Sequence, residues 1–114
     1  MVLKSVGSKS GNKIFIIQSI DRKVDFEEIA RARDLDFEEL LTEIESIVNA
    51  GTKLNINYYI DEVIDPDKAE EIYDYFREDA QSDSVDDAMT GLGGDFTEEE
   101  IRLVRIKFMC EQGN

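Results

Sequence analysis

Residues 36–50 constrain the fold more than any other stretch of this sequence. Asp36, followed three residues later by Glu39, is the pattern of a capping box, which starts a helix. Gly51 is typical of the residue that ends one. Between these signals the apolar residues recur at the spacing of one helix face, at Phe37, Leu40, Leu41, Ile44, Ile47 and Val48. The sequence therefore predicts an amphipathic helix that buries one side against other elements.

A shorter helix is predicted immediately before this one, over residues 25–34. Asp25, with Glu28 three residues later, repeats the capping-box pattern. Phe26 and Ile29 are spaced to share one apolar face with Ala30. Because alanine is small, it allows the two helices to cross closely.

The residues between these helices predict a tight turn. Asp34 and Leu35 separate the two helical patterns, and aspartate tolerates left-handed backbone, although less well than glycine. A short helix, a tight turn and a second helix make up a helix-turn-helix motif. The spacing predicts this motif over residues 25–56.

The N-terminal residues predict a change from flexible to ordered chain. Residues 1–12 contain the small, polar stretch KSVGSKSGN and are predicted to be a flexible linker or a remnant of expression. From Lys13 onward the pattern becomes apolar. A first short helix is predicted there, and a buried strand is the alternative for such a run. The residues that suit the buried face of that helix are Ile14, Phe15, Ile17 and Ile20.

The C-terminal half predicts several short elements. Residues 54–56 alternate like a short strand, while residues 58–64 fit either a strand or a helix. Asp65 followed by Pro66 predicts a helix start, and residues 79–84 predict a polar break. Further helices are predicted over 84–92 and from Thr97, with a buried side at Ile101, Val104, Phe108, Ile106 and Met109.

These elements together predict a mainly α fold. We expect a helix-turn-helix, winged-helix-like bundle with one short strand or a small β-hairpin. A chain of 114 residues suits one compact domain. The expected domain covers residues 13–114, with its core motif at 25–56 and C-terminal helices at 66–112.

The charge of the chain is strongly acidic and unevenly distributed. The formal net charge is −14, which opposes binding to phosphate unless the basic residues are segregated. Residues 1–23 hold five basic side chains and one acidic side chain, whereas residues 61–87 hold twelve acidic side chains and two basic ones. The acidic stretch predicts either a solvated face or a surface for a basic partner.

The residues that most catalytic and metal sites require are scarce. The chain has no histidine and a single cysteine, Cys110, which cannot build a zinc site or an internal disulfide. Residues 91–94 are rich in glycine but lack the Lys-Ser/Thr pair of a phosphate-binding loop. We therefore predict no catalytic, cofactor-binding or metal-binding residue. No signal peptide or membrane span is visible, which predicts a cytoplasmic protein without membrane contact.

Two stretches resemble a known family. Residues 12–65, NKIFIIQSIDRKVDFEEIARARDLDFEELLTEIESIVNAGTKLNINYYIDEVID, resemble the C-terminal helix-turn-helix region of RecQ-type ATP-dependent DNA helicases. Residues 95–114, DFTEEEIRLVRIKFMCEQGN, resemble the end of one bacterial branch of those helicases. The resemblance implies a parent enzyme that unwinds DNA from 3′ to 5′ in replication, recombination and repair, using ATP and magnesium. Because its motor motifs lie upstream in the family, this segment is predicted to have no enzymatic activity of its own.

DNA is the partner that the resemblance implies, through the parent helicase. The predicted second helix of the motif would offer mainly glutamates to a DNA groove, among them Glu38, Glu39 and Glu43, which argues against direct reading of bases. Phosphate contacts are therefore predicted to come from basic residues elsewhere, at Lys13, Arg22, Lys23, Arg31, Arg33 and Lys53.

Three functions remain open from the sequence. The first is an accessory domain that modulates DNA engagement, or contacts with the helicase motor domains or another protein. The second is an acidic protein-interaction adaptor that uses the helix-turn-helix only as a scaffold. The third is a small enzyme that uses paired carboxylates.

Overall fold

The computed structural model describes residues 3–79 and 84–112, and the contacts within the chain divide it into two compact units. Unit 1 comprises Met1–Asn55 and unit 2 comprises Ile56–Asn114. The described residues form seven α-helices and one π-helical turn. The prediction of a mainly α fold is therefore confirmed. The expectation of a single domain over residues 13–114 stays a prediction.

Unit 1 consists of three helices packed around an apolar core. They are α1 (Leu3–Asp21), α2 (Phe26–Ala32) and α3 (Phe37–Asn49). Helix α3 packs against both α1 and α2, so its apolar stripe lies at the centre of the unit. The side chains of this core are Ile16, Ile20, Phe26, Ile29, Ala30, Leu40, Leu41, Ile44, Ile47, Val48 and Leu54.

The start of α3 has the predicted capping box. The Glu39 backbone N–H donates to Asp36 Oδ1 at 2.8 Å, and the Asp36 N–H donates to Glu39 Oε1 at 2.9 Å. These two bonds satisfy backbone donors that the first turn of a helix leaves unpaired. Asp25 caps the first turn of α2 as predicted, but its carboxylate accepts from the N–H of Glu27, at 3.0 Å, and not from that of Glu28 as a capping box would require.

The turns of unit 1 depend on left-handed backbone at three residues. Asp34 has φ +59° in the turn between α2 and α3, as its position predicted, and Lys23 has φ +60° between α1 and α2. Gly51, which follows α3, has φ +107°. Left-handed geometry is costly for residues other than glycine, by roughly 1–2 kcal/mol, so packing of the helices must hold the two turns at Lys23 and Asp34.

The structure corrects the predictions at both ends of unit 1. Helix α1 begins at Leu3, so a helical backbone replaces the flexible linker predicted within residues 1–12, and the alternative of a strand after Lys13 was wrong. Ile20 is buried as predicted, and Phe15 and Ile17 are half-buried. The prediction was wrong for Ile14, which is 57% exposed, and it did not include Ile16, which is fully buried. Residues 52–56 have no regular secondary structure, and no strand occurs among the described residues, so the hairpin is not confirmed.

Unit 2 is built around a long C-terminal helix. Its elements are α4 (Asn57–Val63), α5 (Pro66–Asp74), the π turn (Tyr75–Asp79), α6 (Val85–Gly91) and α7 (Glu98–Gln112). Helix α7 contacts α4, α5, α6 and the π turn. Residues 58–64, for which the sequence allowed a strand or a helix, are helical up to Val63 because they belong to α4. Most of the polar break predicted at 79–84 lies outside the described residues.

The contacts of α7 on several sides explain its buried residues. Ile101, Val104 and Ile106 are buried as predicted, but Leu103 is buried as well. Phe108 and Met109 are only half-buried, contrary to the prediction. A helix surrounded by several neighbours lacks a single apolar stripe, so the helical period could not identify all of its buried positions.

The formal charge differs sharply between the two units. Unit 1 has eight basic and ten acidic residues, which gives −2, and unit 2 has five basic and seventeen acidic residues, which gives −12. Nearly all of the excess acidity thus belongs to unit 2.

A membrane-spanning helix needs about 20 mainly apolar residues, and no helix within residues 3–79 and 84–112 meets the requirements for such a span.

Candidate functional site

The outer face of α3 is the surface that a helix-turn-helix motif normally presents to DNA. Glu38, Glu39 and Thr42 are exposed, and Glu43 and Glu45 are half-buried. The helix contains no lysine or arginine. The Thr42 hydroxyl already donates to the carbonyl oxygen of Glu38 at 3.0 Å. This face therefore offers negative charge where a base-reading helix offers donors and positive charge.

The six basic residues predicted to contact phosphate lie at different places in unit 1. Lys13 lines a groove between α1 and α3, whereas Arg31 lines a separate depression at the turn between α2 and α3. Arg22 and Lys23 are exposed at the end of α1, and Lys53 is exposed after α3. The pair at the end of α1 is adjacent in sequence.

Arg33 is the predicted contact residue that is most engaged within the chain. Its Nε donates to Asn12 Oδ1 at 2.7 Å, and its guanidinium carbon lies 5.2 Å from the centre of the Phe15 ring. Asn12 is only 6% exposed, and a Cβ atom at Gly11 would lie 2.9 Å from the guanidinium Nη2. Arg33 therefore joins the end of α2 to α1, a role that the sequence analysis did not predict.

We expect Arg33→Ala to lower the free energy of unfolding of unit 1 by about 1–2 kcal/mol, since it leaves the buried Asn12 oxygen without its donor. Arg31→Ala is the matched control, because Arg31 lies two residues earlier and its side chain is exposed. It should change the free energy of unfolding by less than about 0.5 kcal/mol. Urea unfolding followed by circular dichroism measures both. Equal stability of the two variants would contradict the structural role of Arg33.

The depression at the turn of the motif combines one cation with two carboxylates. It has a volume of about 410 Å³ and is lined by Glu27, Ala30, Arg31, Asp34, Leu35 and Phe37. Phosphate approaching Arg31 would therefore also approach Glu27 and Asp34, which reduces the attraction.

No group of three or more His, Cys, Asp or Glu residues in the described part of the chain is placed to hold a metal ion.

Comparison with known proteins identifies the motif-bearing part of the chain. Residues 10–60 match the family model described as the RecQ-1-like helix-turn-helix domain. No curated protein matches the chain. The matched range contains the complete turn of the motif with α2 and α3, as well as the part of α1 that contributes Ile16 and Ile20 to their core. Residues 10–60 therefore belong to the RecQ-1-like helix-turn-helix family, and this part of the chain is a helix-turn-helix domain of the RecQ helicase type.

Proposed function

We propose that this chain is a non-catalytic accessory segment of a RecQ-type DNA helicase, and that unit 1 contacts the DNA backbone weakly and without sequence preference. The match of residues 10–60 to the helix-turn-helix domain of this family carries the proposal. The parent enzyme would unwind DNA from 3′ to 5′ with ATP and magnesium in replication, recombination and repair. The segment would modulate how that enzyme engages DNA.

The acidic face of α3 supports contact with the backbone instead of the bases. Entry of α3 into the major groove would bring Glu38, Glu39 and Glu43 close to phosphates. Each such encounter at 4 Å costs about 1 kcal/mol in water and more when water is excluded. Specific contacts would have to overcome this cost, and α3 carries no cation to make them.

The proposed phosphate contacts come from the basic residues that lie outside α3. Arg33 stays in this set only through its remaining N–H groups, since its Nε is bonded to Asn12. Each phosphate neutralised releases counterions, so binding should weaken steeply as salt is added. The complete proposed set is Lys13, Arg22, Lys23, Arg31, Arg33 and Lys53.

We expect the chain to bind labelled DNA duplexes of different sequence with the same low affinity. This affinity should fall as the salt concentration rises from about 50 to about 200 mM, and each phosphate contact should add about 0.9 to the magnitude of the slope of log K against log salt concentration. Fluorescence anisotropy at several salt concentrations measures this. The triple variant Arg22→Ala/Lys23→Ala/Arg31→Ala should weaken binding and flatten the slope, whereas the matched control Lys68→Ala in unit 2 should not.

Glu43→Gln supplies the decisive comparison for the face of α3. It should leave DNA binding unchanged or strengthen it, because it removes a negative charge near the proposed contacts. A tight, sequence-dependent and salt-tolerant complex that Glu43→Gln abolishes would show that α3 reads bases.

In the parent helicase, deletion of residues 13–114 should alter unwinding, and unchanged unwinding would remove the accessory role.

A second function, an acidic protein-interaction adaptor, is favoured by the charge of unit 2. Unit 2 has a formal charge of −12, and most of its residues lie outside residues 10–60, the range that matches the family. A negative charge attracts basic protein surfaces and repels DNA. The helicase motor domains or another protein would then be the partner. Binding of a cationic peptide to the chain, measured by calorimetry, tests this function, and absence of binding in low salt would reject it.

A further inference from the structure

Helix α6 buries little apolar surface. Of its seven residues only Ala88 is buried, and alanine has a small side chain. Met89, the next residue, is 37% exposed. An isolated helix of this length is unstable in water, so α6 depends on what holds it against the rest of unit 2. An element with so few buried apolar contacts opens at a lower free energy than the core beside it.

The side chain of Tyr75, in the π turn, contacts α6 at two points. Its hydroxyl donates to the carbonyl oxygen of Asp87 at 3.3 Å. Its ring lies so close to Gly91 that a Cβ atom there would be 2.7 Å from Cε1 and 3.0 Å from the hydroxyl oxygen. The ring therefore occupies space that only glycine leaves free. The two contacts are one helical turn apart, so they hold the exposed end of α6 in a defined position.

Tyr75 itself is attached to the core of unit 2. The π turn follows α5 without a break, because Tyr75 has helical dihedral angles, φ −60° and ψ −47°. Its ring meets that of Phe76 edge to face at 5.4 Å, and Phe76 stacks against Phe108 of α7 at 5.9 Å. Phe76 is 5% exposed. Tyr75 is thus part of the packed surface on which α6 lies.

The chain that follows α6 can change direction at a pair of glycines. Gly93 has φ +90°, a conformation that favours glycine. A Cβ atom at Gly93 or Gly94 would meet no other atom within 4 Å, so neither position is held by packing. Phe96, two residues further on, is buried again. The chain between α6 and α7 is therefore least constrained at the two glycines.

We propose that α6 is a strap that opens and closes over the rest of unit 2 while α5 and α7 stay folded, with Tyr75 as its latch and Gly93 and Gly94 as its hinge. Opening breaks the bond of the tyrosine hydroxyl and uncovers the ring, whereas the stacking of Phe76 on α7 remains. This conformational device does not depend on either of the proposed functions.

Amide hydrogen exchange of the whole ¹⁵N-labelled chain tests the separate opening of α6. The Ala88 and Leu92 amides report on α6, since they donate to the carbonyl oxygens of Ser84 and Ala88 at 3.1 and 2.9 Å. The amides of Val104 and Ile106 report on α7. The α6 amides should exchange at least about tenfold faster, and dilute urea should accelerate them little because local opening exposes little surface. Equal rates and equal urea dependence in both helices would overturn the strap.

Gly91→Ala tests the latch through a change of sign. Beside Tyr75 the added methyl group forces the ring aside and should accelerate exchange in α6 about tenfold. In a Tyr75→Ala background the clash is absent. The higher helix propensity of alanine should then slow exchange about two- to fivefold. The same direction of change in both backgrounds would show that Tyr75 is not the latch.

Tyr75→Phe is the milder variant, because it removes only the hydroxyl. It should accelerate exchange in α6 about two- to fivefold, as expected for one exposed hydrogen bond. The matched control Tyr73→Phe removes a hydroxyl that donates to Glu111 of α7 at 2.8 Å, and it should leave exchange in α6 unchanged. Equal effects of the two variants, or acceleration of α7 together with α6, would mean that α6 unfolds only with the core and would overturn the proposal.

Discussion

Replacing Ile44 with alanine is expected to lower the free energy of unfolding of unit 1 by about 2–5 kcal/mol. Ile44 is fully buried at the middle of α3, the helix that packs against both α1 and α2. Removing three of its side-chain carbons loses apolar burial and leaves a cavity in the core of unit 1. Urea unfolding followed through amide signals of unit 1 measures the loss without interference from unit 2.

Ser46→Ala is the matched control for this substitution. Ser46 lies two residues further along the same helix and is exposed, so its replacement should change stability by less than about 0.5 kcal/mol. If Ile44→Ala and Ser46→Ala unfold at the same urea concentration, the buried side of α3 has been assigned to the wrong face. The capping box of Asp36 and Glu39 is intact in both variants, so helix initiation does not differ.

The second large effect is expected in unit 2, where Phe76→Ala should cost about 3–5 kcal/mol. Phe76 is 5% exposed, and its ring centre lies 5.9 Å from that of Phe108 on α7 and 5.4 Å from that of Tyr75. The substitution removes an aromatic contact between the π turn and α7. Amide signals of residues in α7, followed through urea unfolding, report the change.

The adjacent Arg77 provides the control in unit 2. Its guanidinium lies 2.7 Å from an oxygen of Asp74 and 3.0 Å from one of Glu78, but all three side chains are substantially exposed. Exposed ion pairs contribute at most about 1 kcal/mol, so Arg77→Ala should be much milder than Phe76→Ala. A loss as large for Arg77→Ala would mean that the ion pairs, and not the aromatic contacts, stabilise this turn.

Local patterns predicted the helix-turn-helix motif because its signals lie within a few residues of one another. The capping box at Asp36 and Glu39, the left-handed Asp34 and the stop at Gly51 each depend on neighbours in sequence. The uninterrupted stripe through Ile44 fixed the buried side of α3. For these elements, backbone geometry and helical period were sufficient.

Other features depend on contacts that sequence spacing does not contain. The bond between Arg33 and Asn12 joins residues 21 positions apart, so Arg33 was interpreted only as a possible phosphate contact. In α1 the residues from Ile14 to Ile17 form a continuous apolar run, and it is the packing of α1 within unit 1 that buries Ile16 and leaves Ile14 exposed. A run without polar interruptions has no period from which to choose a face.

The unequal division of charge determines how far each unit acts through solution. In about 0.01 M salt the screening length is about 30 Å, comparable with a small domain, whereas at about 0.15 M it is about 8 Å. The twelve excess negative charges of unit 2 therefore repel DNA over about 30 Å in dilute buffer, but act only near their own surface at physiological salt. Adding salt would weaken this repulsion together with the proposed attraction of phosphate to unit 1. If unit 1 contacts phosphate as proposed, the salt dependence measured for the whole chain is a lower bound on the number of phosphates contacted.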